Sequence, residues 1–146
     1  VSAGGYPKDV EQLVLSSCLR ALPHAVREGG ILVLVAECPE GLGNRTFEAW
    51  MAKASSPDDL LERIQQEFVL GGHKAAAIAT VLKRASVYLV SALPVELVRQ
   101  CGMIPFDDLG AAMDTALGEL GPGASLLVLP QGSAILPLVP ERNTMQ

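Results

Sequence analysis

Aromatic side chains are scarce in this 146-residue sequence, at one Trp, two Tyr and three Phe. A chain so poor in rings and so rich in Ala, Val and Leu favours helices packed on a sheet over a β-sandwich. Cysteine is scarce too. Cys18, Cys38 and Cys101 are odd in number, widely spaced and in no metal-ligand pattern, so the plain expectation is a reduced, cytoplasmic protein. Basic residues are outnumbered, 11 Lys and Arg against 16 Asp and Glu, for a formal net charge of -5. That balance speaks against nucleic acid as a partner, because tracking phosphates takes clustered Lys and Arg; it leaves room only for a small basic pocket. No apolar run approaches the roughly 20 residues of a membrane helix. The opening Val-Ser-Ala-Gly-Gly-Tyr lacks the charged-then-apolar pattern of a secretory signal, so no membrane partner is expected. Internal repeats, low-complexity segments and linkers are also lacking.

What is present is organised around Ile31 to Gly43, reading Ile-Leu-Val-Leu-Val-Ala-Glu-Cys-Pro-Glu-Gly-Leu-Gly. Its first half is branched and apolar without alternation, as in a strand covered on both faces at the centre of a parallel sheet. Its second half turns to acids, Cys38, a proline and two glycines. Such a loop leaves the carboxyl end of a strand, where open α/β sheets build their ligand crevices. The length suits one domain, residues 1–146, with a core of its own. The chain does not begin with Met, and its first residues read as the end of a strand already in progress. A domain excised from a longer protein is the expectation.

In chain order, Val1 to Asp9 reads as a strand end, a Gly4-Gly5 turn and an N-cap at Asp9. A helix from about Val10 to Glu28 follows, interrupted near Pro23 and stopped by Gly29-Gly30. Strand Ile31–Ala36 comes next, then a helix over Arg45–Ala54 with Phe47, Trp50 and Met51 on one face. Ser56-Pro57-Asp58-Asp59 starts a helix to about Phe68, and Gly71-Gly72 opens another over His73–Arg84. Val87–Ser91 is a second buried strand, Pro94–Gln100 a short helix, and Met103–Phe106 a short strand before a helix to about Leu120. Ser125–Leu129 reads as a third buried strand, with an edge strand near Ala134–Leu136. Strands alternating with helices imply right-handed crossovers. The fold class is therefore α/β, a three-layer sandwich with a mainly parallel central sheet.

Three places could carry chemistry. The loop Glu37–Gly43 has neither a Walker lysine nor dinucleotide spacing; its amides, with Asn44 and Arg45, either hold an anion at a helix start or simply make a tight turn. Gly71-Gly72-His73-Lys74 puts a cation where the helix dipole disfavours it, so helix stability does not explain Lys74, although His73 also reads as a cap. Near the first glycine turn, Lys8 is a candidate contact and Asp9 a cap. Cys38 reads as a packed thiol, His24 as solvent-facing, and Asp107 and Asp108 as helix-start acids.

Ser2-Ala3-Gly4-Gly5-Tyr6-Pro7-Lys8-Asp9, Ala36–Gly43, Phe47 and Trp50, and Gly71-Gly72-His73-Lys74-Ala75 together resemble the C-terminal domain of the nickel-dependent lactate racemase family. Pro130-Gln131-Gly132 with Pro137 resembles that family's ending. The resemblance implies a two-domain racemase or epimerase (an isomerase) for a small 2-hydroxy acid. It implies a nickel-pincer nucleotide that accepts and returns a hydride, bound mainly by an N-terminal domain that is absent from this sequence and would be this chain's partner. On that basis no catalytic residue and no metal ligand is assigned here, and the isolated domain is expected to be inactive. His73, Lys74, Gly72, Tyr6, Lys8, Gly41, Gly43 and Arg45 are the expected substrate- or cofactor-facing residues. Two departures stand out. A Gln and a Lys that face the family's active site fall at Val14 and Ser17, and a family tryptophan falls at His73. Lactate as the substrate is thereby put in question. The rival readings are a catalytically silent small-ligand domain and a nucleotide-phosphate binder using the Glu37–Gly43 loop.

Overall fold

The computed structural model describes residues 1–7, 9 and 25–135. Most of the helix expected over Val10–Glu28, with Val14, Ser17, Cys18 and His24, lies outside the described residues; Ala25–Glu28 are turns and irregular chain rather than a helix end. The elements in order are β1 (Gly30–Val35), α1 (Arg45–Lys53), α2 (Pro57–Gln66), α3 (Gly72–Leu82), β2 (Ala85–Val90), α4 (Val95–Gln100), β3 (Ile104–Phe106) and α5 (Leu109–Leu120).

The three strands form one parallel sheet in the order β1-β2-β3. Its register runs from Gly30 opposite Ala85 to Val35 opposite Val90, and from Tyr88 opposite Ile104 to Val90 opposite Phe106. The first residues extend the sheet beyond β1: Val35 N–H donates to Val1 O at 2.9 Å and Ala3 N–H to Val35 O at 3.0 Å. Both faces of the sheet are covered, which is why β1 and β2 show no polar alternation. Leu32, Leu34, Val87 and Leu89 enter the main core with Phe47, Trp50, Leu60, Ile78 and Val81 from the α1–α3 layer. The opposite side chains, Ile31, Val33, Tyr88 and Val90, pack on Ala112 and Ala116 of α5. The fold is the expected α/β arrangement of helix, parallel sheet and helix.

Local chemistry sets the helix starts. Ser56 and Asp59 form a reciprocal capping box with Pro57 in the first turn of α2. Asp108 Oδ1 accepts from Ala111 N–H at 3.0 Å and opens α5. In α3, Ala75 and Ala79 are fully buried and let the helix approach closely.

Two expected strands are corrected. Ser125–Leu129 is not a buried strand: Leu126, Leu127 and Val128 are 62%, 57% and 67% exposed, and only Leu129 is buried. The third strand is Ile104–Phe106 instead. The apolar run passes beside Val1–Ala3, where Leu129 O accepts from Ser2 N–H at 2.9 Å. Near Ala134–Leu136, residues Gly132–Ala134 form a 3-10 turn rather than an edge strand, and 136 lies outside the described residues. The turn is drawn back by Gly132 N–H, which donates to Ser2 O at 2.8 Å. Among the described residues no helix is long and apolar enough to cross a membrane.

Candidate functional site at the carboxyl edge of the sheet

Each strand ends in a loop that reaches the same edge of the sheet. After Val1–Ala3 comes the Gly4-Gly5 turn, with φ of 104° and 70°, a region open to glycine at little cost. After β1 comes Glu37, then Cys38 at φ 55°, whose N–H donates to Asp9 O at 2.8 Å. Ser91 follows β2 and Asp107 follows β3. Between these ends lies a cleft of about 470 Å³ lined by Ser2, Gly5, Asp9, Glu37, Ser91 and Asp107 with neighbouring backbone.

Three carboxylates make this cleft electronegative. Cys38 registers that field: burial first, then Asp9 and Glu37, push its thiol up to about 12. At neutral pH it is a protonated, packed thiol rather than a nucleophile, as expected from the sequence. Asp9, Ser91 and Asp107 were not among the residues expected to face a ligand, and Glu37 was expected only as the first residue of the Glu37–Gly43 loop. Their shared signal was position, each at or beside a strand's carboxyl end. Asp9 and Asp107 were hidden because a helix-start acid already explains itself locally.

A second group stands where α3 begins, because a helix antiparallel to the strands starts at their carboxyl edge. His73 Nδ1 accepts from Gly71 N–H at 3.3 Å, and the ring stacks on Phe68 with centroids 5.9 Å apart. His73 thus bonds back to the residue before the helix, while the α3 start itself has no side-chain cap. With Nδ1 as acceptor, the neutral ring carries its proton on Nε2. Lys74 is half-buried; its N–H donates to Gly71 O at 3.1 Å, and its side chain makes no ion pair among the described residues. The two glycine loops touch: a Cβ on Gly71 would lie 2.5 Å from Asn44 Oδ1. Asn44 caps α1 through Phe47 N–H at 2.9 Å, and exposed Arg45 follows it.

The structure thus seats the α3 start, through Gly71, against Asn44 next to Arg45, but not inside the acidic cleft, whose lining contains none of His73, Lys74, Gly72 or the Gly41–Arg45 loop. Gly41 and Gly43 shape their loop at φ of 75° and 71°. Tyr6 is 87% exposed beside the cleft residue Gly5. Lys8 lies outside the described residues. Among the described residues no three His, Cys, Asp or Glu side chains form a set that could hold a metal ion.

Comparison with known proteins decides what this arrangement belongs to. Residues 1–137 match the family described as "Lactate racemase C-terminal domain". The chain belongs to that family. The lactate racemase of Thermoanaerobacterium thermosaccharolyticum is 27% identical over 140 residues, 92% of this chain and 33% of that protein. The structure of the same organism's lactate racemase apoprotein superposes with a TM-score of 0.85, again over 92% of this chain and 33% of that one. This lactate racemase C-terminal domain therefore spans about a third of the length of the racemase it matches.

Proposed function

We propose that this domain is the substrate-side part of a lactate racemase-like isomerase that interconverts the two configurations of a small 2-hydroxy acid. A nickel-pincer nucleotide would supply the hydride acceptor and donor for that change at the 2-carbon. The described residues do not fit a metal site, so the metal and its nucleotide are assigned to the N-terminal domain that a racemase of this kind carries, and no step runs through a metal on this chain.

The observation that supports the reading best is the start of α3. There His73 and Lys74 follow Gly71, which packs against Asn44 beside Arg45 at the carboxyl edge of the sheet, in a chain of this family. A substrate carboxylate would gain charge-assisted bonds from Lys74 and from His73, together with the helix dipole. The carboxylates of Asp9, Glu37 and Asp107 would repel the same group, so the substrate would sit with its carboxylate toward Lys74 and away from the acidic cleft. Gly71, at φ 99°, turns the chain into α3, but Gly72 N–H is used by Val69 O at 3.0 Å and Lys74 N–H by Gly71 O at 3.1 Å, so the side chains rather than these amides would meet the substrate.

Lys74→Ala in the two-domain enzyme should weaken binding or turnover of the 2-hydroxy acid about ten- to a hundredfold, from the loss of about 1.5 to 3 kcal/mol of charge-assisted bonding. Melting should change little, because a lysine in the first turn opposes the helix dipole. Unchanged kinetics would remove the pair from the site; a large fall in melting temperature would make it structural. The 146-residue chain with nickel alone should give no interconversion above the metal-only background, measured by chiral chromatography of lactate and other 2-hydroxy acids. The phosphate-binding alternative is weakened by local bonding. Gly41 N–H is already used by Cys38 O at 3.0 Å and Phe47 N–H by Asn44, which removes amides a phosphate would need.

A further inference from the structure

The first residues of α3 have almost no freedom of position. A Cβ on Gly72 would lie 2.6 to 2.7 Å from three indole atoms of Trp50, closer than non-bonded carbons come. Trp50 is 2% exposed within the main core, so its ring cannot swing aside. Gly71, the residue before, is held in the left-handed region against the Asn44 side chain that caps α1. Both glycines are thus seated on α1. From α2, the Arg63 guanidinium lies 4.3 Å from the centroid of the same indole. Three helices meet at one ring, immediately before His73 and Lys74.

We propose that Trp50, braced by Arg63, is a positioning residue: its contact with Gly72 sets where His73 and Lys74 stand at the carboxyl edge. The role in substrate handling rests on the proposed function, but the geometry does not. A residue larger than glycine at 72 pushes the helix start off the ring, and the 3.3 Å bond from Gly71 N–H to His73 Nδ1 is the first to open. Trp50 is also the chain's one tryptophan, so its emission reports this contact without a label.

The test uses the 146-residue chain. Imidazole nitrogen shifts of His73, the Gly71 amide shift and Trp50 emission are measured in the wild type, Gly72→Ala, Arg63→Gln and the double variant Gly72→Ala/Trp50→Leu, the last by its nitrogen and amide shifts alone. In the wild type, His73 shows Nδ1 as acceptor and Nε2 protonated. Gly72→Ala loses that pattern and moves the Trp50 emission to the red. The double variant recovers the His73 pattern, because a leucine side chain is smaller than the indole and leaves room for the methyl group. Arg63→Gln shifts Trp50 emission and the Gly71 amide while melting stays within a few degrees, which keeps the proposal testable even if the glycine variants fail to fold. A folded Gly72→Ala with the wild-type His73 pattern overturns the proposal, as does a folded double variant without recovery. Unchanged emission and amide shift in Arg63→Gln overturn the bracing role. None of these readouts needs a substrate. Loss of the proposed function through a silent Lys74→Ala would leave them standing, so the two ideas fail separately.

Discussion

Cys38 shows how far one residue's chemistry is set by its neighbours. Its thiol, pushed up to about 12 by burial and by Asp9 and Glu37, stays protonated where a free cysteine has begun to ionise. Its reaction with iodoacetamide at pH 8 should be negligible in the folded chain and rapid in urea, read by mass spectrometry on the Cys38 peptide. The same shift sets an alkaline limit. An acid whose pKa is higher folded than unfolded favours the folded state below the unfolded value and loses that advantage as pH rises toward the folded one. Melting temperature should therefore fall between about pH 9 and 12, with Tyr88, also pushed up to about 12 mainly by burial, adding to the upper part of the fall. Asp59 works in the opposite direction at the acid end. Hydrogen bonds from Ser55 and Ser56 hold its carboxyl below the usual value, so its capping of α2 is lost as pH falls through that lowered value.

Among the elements, those whose signals are local were legible in the sequence. The capping box at Ser56, the Asp108 cap and the single apolar face of Phe47, Trp50 and Met51 are written within a few residues each, and each lies where expected. Ser56→Ala should cost about 1 kcal/mol, seen as a lower denaturation midpoint with an unchanged slope. The Leu126–Val128 run was misread for a physical reason. An apolar run that follows a glycine turn fits a buried strand, but burial needs something to pack on both faces, and that is decided by elements far away in sequence. The strand assignments can be told apart by stability. Leu127→Ser should stay within about 0.5 kcal/mol of wild type, as for a surface change, whereas Leu89→Ala in β2 should lose about 2 to 5 kcal/mol. Equal losses would put Leu127 back in a core. In the candidate site, the α3 start was legible because Lys74 breaks a local rule. The acidic cleft was not, because Asp9 and Asp107 each satisfy one.

At the scale of the molecule, one sheet edge gathers two groups of opposite charge: the cleft with Asp9, Glu37 and Asp107, and the side with Arg45 and Lys74. An anionic ligand should therefore bind more weakly as salt is added, the attraction of the cationic side being screened, while removal of cleft carboxylates should strengthen it. Glu37→Gln is the variant to compare with wild type by calorimetry in the two-domain enzyme. Ser2 carries a different consequence. Its N–H meets Leu129 O and its O meets Gly132 N–H, so two segments about 130 residues apart in sequence are clasped at one point of the sheet's rim. The rim is closed there as a belt is closed at its buckle: a change in the backbone at Ser2 would be felt by both segments at once.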